Sequence, residues 1–262
     1  MLRERLNHAW RLAVTGLAFI GFGLGGVVLA TLVIPLAGWT ARDRVQARER
    51  GQRIVQWSFR LFATALQGLG IITLRLSGVE RLAACRGVIV VANHPTLIDV
   101  VLLIAHVPHA QCVVKHQLFR NPFLKGMVRV MGYIRNDLEA EAFVEACRLA
   151  LDEGQNLIIF PEGTRTVPGM PLHFRRGFAN VATLTRRPLL LVSIVCEPVM
   201  LTKGAPWYRI PPRPGGYRIA VEELIDIEPY LRLPSRALGA RQLVADLQDF
   251  FTRRLSDART GA

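Results

Sequence analysis

The sequence predicts an α/β domain with a mostly parallel central sheet flanked by helices, preceded by an N-terminal membrane-docking element of two helices. Three observations carry that expectation. From Leu12 to Gly38 the chain holds no charged residue, and a run of that length can cross a hydrocarbon core. From Ile71 onward, short β-branched runs alternate with helix-like segments, the pattern of strands joined by crossover helices. Two of those runs, Gly87–Val91 and Leu157–Ile159, lead directly into polar turn sequences. Residues there sit at the carboxyl ends of strands, where open α/β sheets bind ligands.

Taken in order, the first 70 residues form the membrane-associated element. Arg3, Arg5 and Arg11 precede the apolar run and Arg42, Arg44, Arg48, Arg50 and Arg53 follow it, so the positive-inside rule does not choose an orientation. A single span with its C-terminal flank in the cytoplasm satisfies these facts. So does a re-entrant hairpin that uses Gly21, Gly23, Gly25 and Gly26 to bend or pack closely. The run is too long for a secretory signal, and no small-x-small site precedes its charged flank. Residues 42–69 place arginines early and Trp57, Phe59, Leu61, Phe62, Leu66 and Leu69 late. We expect an amphipathic helix at the interface, although a core helix of the following domain carries the same pattern.

Residues 71–262 form the α/β domain. Strands are expected at 71–76, 87–92, 111–115, 132–135 and 156–160. The clearest helix is Leu138–Glu153, acidic at its start and closed by Gly154. A last helix, Ser235–Leu255, carries Leu238, Leu243, Leu247, Phe250 and Phe251 and closes the core.

The 262 residues are 51% hydrophobic, with a mean hydropathy of +0.28 and a formal net charge of +13. That excess points to an anionic partner. The uncharged N-terminal run and the lack of a base-reading motif favour a phospholipid surface over nucleic acid. Cys85, Cys112, Cys147 and Cys196 are scattered, without a CxxC pair, which fits a reducing, cytoplasm-facing domain. Cys112 and His116 are four apart, but burial of Cys112 in a strand accounts for the spacing. His106, His109, His116 and His173 make no recognisable metal-ligand set.

Two stretches carry chemistry. In Val91-Ala92-Asn93-His94-Pro95-Thr96-Leu97-Ile98-Asp99 the histidine follows a strand, and Thr96 is expected to cap the next helix through its hydroxyl. Asp99, in the first turn, can then accept a hydrogen bond from the imidazole, leaving its other nitrogen free as a base. Taken alone, the pair reads more readily as a loop histidine and a first-turn acid favoured by the helix dipole. In Phe160-Pro161-Glu162-Gly163-Thr164-Arg165, Pro161 and Gly163 enforce a turn and Arg165 offers a forked cation suited to phosphate. The alternative is a tight turn in which Glu162 and Arg165 pair with each other. Arg175 and Arg176 add cations before a helix start, another place that suits anions.

With both stretches in view, the chain resembles the glycerolipid (lysophosphatidic acid type) acyltransferase family. Its His-x4-Asp motif preceded by Asn is matched by Asn93 to Asp99, and its Phe-Pro-Glu-Gly-Thr-Arg motif by Phe160 to Arg165. The likeness extends through Lys115, Pro122-Phe123, Gly132-Tyr133-Ile134 and Phe174-Arg175-Arg176-Gly177, roughly residues 71–200. The N-terminal helices look like the docking pair of bacterial members. The resemblance implies that His94 is the general base and Asp99 its orienting partner. Glu162, Gly163, Thr164 and Arg165 would hold the acyl acceptor, with Arg165 on its phosphate, and Lys115 and Arg135 would be further substrate contacts. It implies no cofactor and no metal. Acyl-CoA or acyl carrier protein would be the donor and a lysophospholipid, 1-acylglycerol-3-phosphate first, the acceptor. It also implies a bacterial inner membrane, with the catalytic domain on the cytoplasmic face.

Two departures concern the acceptor. The middle motif reads Gly132-Tyr133-Ile134-Arg135-Asn136-Asp137-Leu138, which displaces its arginine, and Leu191-Val192-Ser193 stands where the family has proline then valine. The stretch Leu201 to Pro212 looks like that of homologues found with aryl-polyene or specialised fatty-acid pathways. Its Trp207 and Tyr208 suit a headgroup layer or the border of an acyl channel, or a surface loop pinned by prolines. No Gly-x-Ser-x-Gly elbow is present, so no acyl-enzyme is expected. The predicted activity is O-acyl transfer to a lysophospholipid-like hydroxyl. Its rivals are acylation of a specialised lipid such as an aryl polyene, a thioesterase-like hydrolase, and a non-catalytic basic membrane adaptor.

Overall fold

The computed structural model describes residues 2–121 and 125–260; Pro122 and Phe123 of the resemblance lie outside them. The chain opens with α1 (Leu2–Val28), a π-helical turn (Leu29–Val33), α2 (Ile34–Trp39) and α3 (Arg44–Gly68). Then follow β1 (Ile72–Ser77), α4 (Val79–Ala84), β2 (Ile89–Ala92), α5 (Asp99–His106), β3 (Ala110–Val114), α6 (Gln117–Arg120), α7 (Lys125–Val130) and β4 (Ile134–Arg135). The second half holds α8 (Ala140–Asp152), β5 (Asn156–Ile159), α9 (Gly177–Thr185), β6 (Leu189–Cys196), β7 (Gly215–Ile225), α10 (Glu228–Leu231) and α11 (Arg236–Thr260).

The expected sheet is present, with seven strands among the described residues in the order β1-β7-β6-β2-β5-β3-β4. β2 through β6 run parallel, while β7 is antiparallel to β6 and carries β1 with it. Neither β6 nor β7 is among the predicted strands. Because five strands share one direction, the residues that follow β2, β3, β4, β5 and β6 all lie on one rim. Strand alternation then sorts side chains between two cores. Val90 and Ala92 of β2 join Leu102 and Leu103 of α5 on one face, and Ile89 and Val91 join Phe178 of α9 and Phe251 of α11 on the other.

The N-terminal run forms no internal hairpin. Gly21 to Gly26 lie inside unbroken helix, and the irregularity comes at the π-helical turn, where Ile34 N–H bonds the Leu29 carbonyl five residues back. Pro35, which has no N–H to offer, follows immediately. The chain reverses only at residues 40–43, where the Asp43 carboxylate accepts from Gln46 N–H to cap α3. Helices α1–α2 and α3 therefore pack antiparallel, with Phe22 against Phe59 and Phe62.

One face of α3 is a core face: Gly51, Gln52, Val55, Ala63 and Leu66 are buried, and the helix packs along α5. Arg48 pairs with Glu153, and Arg60 donates to the Ala105 carbonyl. Its other face leaves Trp57 65% and Leu61 55% exposed. The longer helix is fastened to the domain at both ends. Arg11 donates to the Pro211 carbonyl and Gly16 packs under the Trp207 ring, while Ile34 and α2 lie against α7 and Gly51.

At the rim opposite the candidate site, buried Asn156 ties three loops together. Its amide donates to the carbonyls of Cys85 and Pro108 at 2.9 Å each, and its oxygen accepts from Val88 N–H at 3.3 Å. Replacing it by alanine strands buried polar groups that cost about 1–3 kcal/mol each. Asn156→Ala is expected to lower the unfolding free energy in urea by at least about 2 kcal/mol, with the far-UV circular dichroism of the folded protein unchanged.

Candidate active site

Strand β2 ends at Ala92, and Asn93 continues its ladder with a side chain. The Asn93 amide donates to the Ile194 carbonyl at 2.7 Å, and its oxygen accepts from Ile194 N–H at 2.8 Å. The backbone of His94 is thereby released from the sheet while remaining anchored to β6. His94 N–H donates to Glu162 Oε1 at 2.9 Å, and the His94 carbonyl accepts from Thr166 N–H at 2.7 Å. The imidazole stacks on Phe160 with ring centroids 4.2 Å apart.

Asp99 lies directly behind the ring. Its side chain is 0% exposed and the imidazole 16%, with Nδ1 and Asp99 Oδ2 2.8 Å apart. The same oxygen accepts from Thr96 N–H at 2.6 Å, and Oδ1 accepts from the Thr96 hydroxyl at 2.5 Å. Tyr217, fully buried in β7, donates to that hydroxyl at 2.9 Å. Burial pushes the Asp99 carboxyl up, and the hydrogen bonds from His94 and Thr96 pull it down. The neighbours decide its role. Thr96 N–H can only donate, and the Thr96 hydroxyl, receiving Tyr217's proton, directs its own at Asp99. Asp99 is thus an acceptor throughout, so Nδ1 carries the proton between them. The expected Thr96 cap is corrected: α5 begins at Asp99 with no side-chain cap, because the hydroxyl is used by the carboxylate instead.

The Phe160–Arg165 turn sits one strand away, after β5. Gly163 has φ +66°, and its N–H closes the turn on the Phe160 carbonyl at 3.0 Å. Buried Glu162 faces inward, its Oε1 shared between His94 N–H and the Thr166 hydroxyl. Burial raises its carboxyl pKa. Glu162 and Arg165 do not pair. Arg165 Nη1 donates to the carbonyls of Leu201 and Thr202 at 2.9 Å each, and the Leu201 carbonyl also accepts from Leu97 N–H. Arg165 therefore ties the strap after β6 to the turn that carries His94. Thr164 is exposed.

Lys115 is exposed at the end of β3, two strand spacings from β2, or about 10 Å. Arg135 is three spacings away, about 14 Å, and forks onto Asp137 at 2.9 and 2.7 Å. The structure thus brings His94, Asp99, Glu162, Gly163 and Arg165 together and leaves Arg135 apart. Cys112 is buried in β3, and burial pushes its thiol up to about 12. No group of three His, Cys, Asp or Glu that could hold a metal occurs among the described residues.

Beside the turn, Thr15, Ala18 and Phe19 of α1, Phe62 and Leu66 of α3, and Leu97 and Ile98 enclose part of an apolar cavity of about 240 Å³. Its remaining wall includes Met200 and Leu201.

A family model described as Acyltransferase matches residues 73–197, a span that contains both motifs. A 1-acyl-sn-glycerol-3-phosphate acyltransferase of Helicobacter pylori is 32% identical over 116 residues, which are 41% of this chain and 49% of that protein. The chain is similar to this acyltransferase family over the segment that carries both motifs. Proteins of the same name from Borreliella burgdorferi and Cocos nucifera are 31% and 30% identical, over 49% and 39% of this chain and 52% and 35% of their own lengths. The chain thus spans about half, or less, of the curated relatives it matches. The acyltransferase PlsC of Thermotoga maritima shares the fold, with a TM-score of 0.71 at 22% identity, covering 94% of this chain and 98% of that one.

Two parts of this site escape sequence reading. The Asn93–Ile194 bridge and the Tyr217–Thr96 bond join residues 101 and 121 positions apart, and no local pattern announces either. Arg175, already marked in the sequence as a cation before a helix start, lies across Gly163.

Glu162 supplies a pH test. A carboxyl whose pKa rises on folding binds its proton more tightly in the folded state. Stability therefore falls as pH rises from the ordinary value of 4.5 through the raised folded value, and is level above it. Urea midpoints of wild type and Glu162→Gln across that window should diverge in favour of the glutamine variant as pH rises. A constant difference would place the carboxylate in a solvated environment.

Proposed function

We propose that the protein transfers a fatty acyl chain from a thioester donor, acyl-CoA or acyl carrier protein, to a hydroxyl of a lysophosphatidate-like acceptor. The observation that carries this reading is the dry, three-donor Asp99 carboxylate holding His94 Nδ1–H, beside an apolar cavity. Nε2 takes the acceptor hydroxyl's proton as that oxygen attacks the thioester carbonyl. The tetrahedral intermediate collapses with cleavage of the C–S bond, and the thiolate leaves with the proton returned from His94. The cavity between α1, α3 and Leu97–Val101 holds an acyl tail.

General-base assistance contributes about 10²–10⁴-fold. Acyl transfer to lysophosphatidate should accordingly fall by about 10²-fold or more in His94→Ala, assayed with radiolabelled donor. Equal rates in the two proteins would remove His94 from the chemistry. Free fatty acid released at a rate indifferent to lysophosphatidate would favour the hydrolase.

The docking geometry supports a membrane-surface enzyme. Residues 11–39 run about 42 Å along the domain, fastened at both ends. That fastening favours a helix lying along the bilayer surface over one crossing its hydrocarbon, about 30 Å thick. Its exposed stripe, Leu17, Leu24, Leu32, Leu36 and Trp39, continues onto Trp57 and Leu61 of α3 and suits insertion parallel to the surface. The paired substitution Trp57→Glu and Leu61→Glu should weaken partition onto phosphatidylglycerol vesicles by roughly tenfold or more in a flotation assay, with the melting temperature unchanged. Undiminished flotation would move the docking face elsewhere.

A further inference from the structure

The phenol of Tyr217 is a polar group that packing does not need. The side chain is fully buried in the core that includes Leu102 and Leu103 of α5, where phenylalanine would fill nearly the same space. A buried hydroxyl costs free energy unless it is hydrogen-bonded, so the partner that it finds is informative.

That partner is Thr96. The Tyr217 hydroxyl stands 2.9 Å from Thr96 Oγ1, which in turn stands 2.5 Å from Asp99 Oδ1. Each hydroxyl has one proton to give. Thr96 gives its proton to the carboxylate, so Tyr217 gives its own to Thr96. Cys196 also lies beside the phenol. Its thiol keeps its proton, since burial pushes it up to about 11, and directs it at the Pro198 carbonyl at 3.5 Å. Burial likewise keeps Tyr217 protonated. The result is a one-way chain of donors, Tyr217 to Thr96 to Asp99, ending on the carboxylate behind His94 Nδ1.

The fold delivers this phenol from far away in the sequence. Tyr217 pairs with Cys196 of β6 on one side and Leu74 of β1 on the other, and Gly215 and Gly216 precede it. A β-carbon on Gly216 would collide with the Glu197 carbonyl, and one on Gly215 with Met200 Sδ. Bare backbone there lets β7 close on the end of β6, where Glu197 and Gly216 exchange hydrogen bonds at 2.9 and 3.1 Å. Tyr217 lies beyond residues 73–197, the segment that the family model matches, and neither motif contains it.

We propose that Tyr217 is a positioning residue for the reaction: through the Thr96 hydroxyl it keeps Asp99 an acceptor and holds the carboxylate on the His94 ring. The assignment rests on the acyltransferase reading above and adds a third residue behind the histidine. Among the described residues, the titratable groups facing the His94–Asp99 pair are Glu162, which accepts from His94 N–H, and Tyr217 and Cys196 beyond Thr96. None carries a positive charge, so the Thr96 donors are what draws charge off the carboxylate. Without Tyr217 the hydroxyl of Thr96 is free to turn away, Asp99 becomes the stronger base, and the proton it shares with His94 is held more tightly.

The test follows acyl transfer from acyl-CoA to lysophosphatidate across pH in wild type, Tyr217→Phe, Thr96→Val, Thr96→Ser and the double variant Tyr217→Phe/Thr96→Val. Tyr217→Phe keeps the ring and should lower kcat roughly 5- to 50-fold with both KM values unchanged. It should also move the acidic limb of kcat/KM to higher pH. Thr96→Val should do at least as much, and Thr96→Ser, which keeps the hydroxyl, should lose less. The double variant should match Thr96→Val, because Tyr217 acts only through that hydroxyl. Unchanged kcat and limb in Tyr217→Phe, or losses that add in the double variant, overturn the assignment. A readout independent of turnover is the His94 Nδ1 proton resonance in the NMR spectrum, which Tyr217→Phe should displace; an undisplaced resonance equally overturns it. Wild-type protein that transfers no acyl group sinks the acyltransferase reading alone, and the resonance then still decides whether Tyr217 acts on the pair.

Discussion

Burying a carboxylate is expensive unless its oxygens are satisfied, and the arrangement around Asp99 is organised by that demand. Oδ2 accepts from His94 Nδ1 and Thr96 N–H, and Oδ1 from the Thr96 hydroxyl, which Tyr217 orients. The position of Asp99 as the first residue of α5 adds the favourable end of the helix dipole. Remove the strand β7 that delivers Tyr217, and the hydroxyl loses the bond that directs its proton. Remove the Asn93 bridge to β6, and the turn that carries the imidazole loses its anchor to the sheet. The His94–Asp99 pair is therefore a product of long-range pairing as much as of its own five-residue spacing.

The same economy links the site to the N-terminal helices. The Leu201 carbonyl accepts from both Leu97 N–H and Arg165, so the segment after β6 is stitched to the His94 turn. Further along that segment, Trp207 rests on Gly16 and Phe19, and the Pro211 carbonyl accepts from Arg11. One strap thus touches the turn that holds His94 and the helix that walls the apolar cavity. Bare Gly16 permits the contact, because a β-carbon there would stand 3.2 Å from the indole ring.

What could be read from the chain depended on how local the cause was. β2 and β5 were legible because Ile89-Val90-Val91 and Leu157-Ile158-Ile159 are short, apolar and followed by turn residues. The His94–Asp99 bond was legible because five residues span a strand end and a first helical turn. β7 was not: its eleven residues include Arg218, Glu222 and Glu223, and it pairs antiparallel to β6 and parallel to β1, an arrangement set by distant partners. Thr96 was misread as a cap because helix-start rules weigh the nearest N–H groups, whereas a desolvated carboxylate three residues on is the stronger acceptor. The destination of Arg165 was hidden for a similar reason, since its carbonyl acceptors lie 36 and 37 residues later.

The net charge of +13 invites the idea that arginines hold the proposed membrane contact, but the structure spends several of them internally. Arg11 and Arg60 serve buried or half-buried carbonyls, Arg48 answers Glu153, and Arg148 and Arg187 share Asp152. The basic flanks of the apolar run thus do double duty, and part of their charge is neutralised before any lipid arrives. The leucine and tryptophan stripe along α1–α2 has no partner within the described chain and runs the length of the docked helix. On this division, long-range attraction brings the protein to an anionic surface, and apolar contact keeps it there. The cavity lies immediately behind that helix, so in the proposed function an acyl tail reaches His94 from the bilayer side.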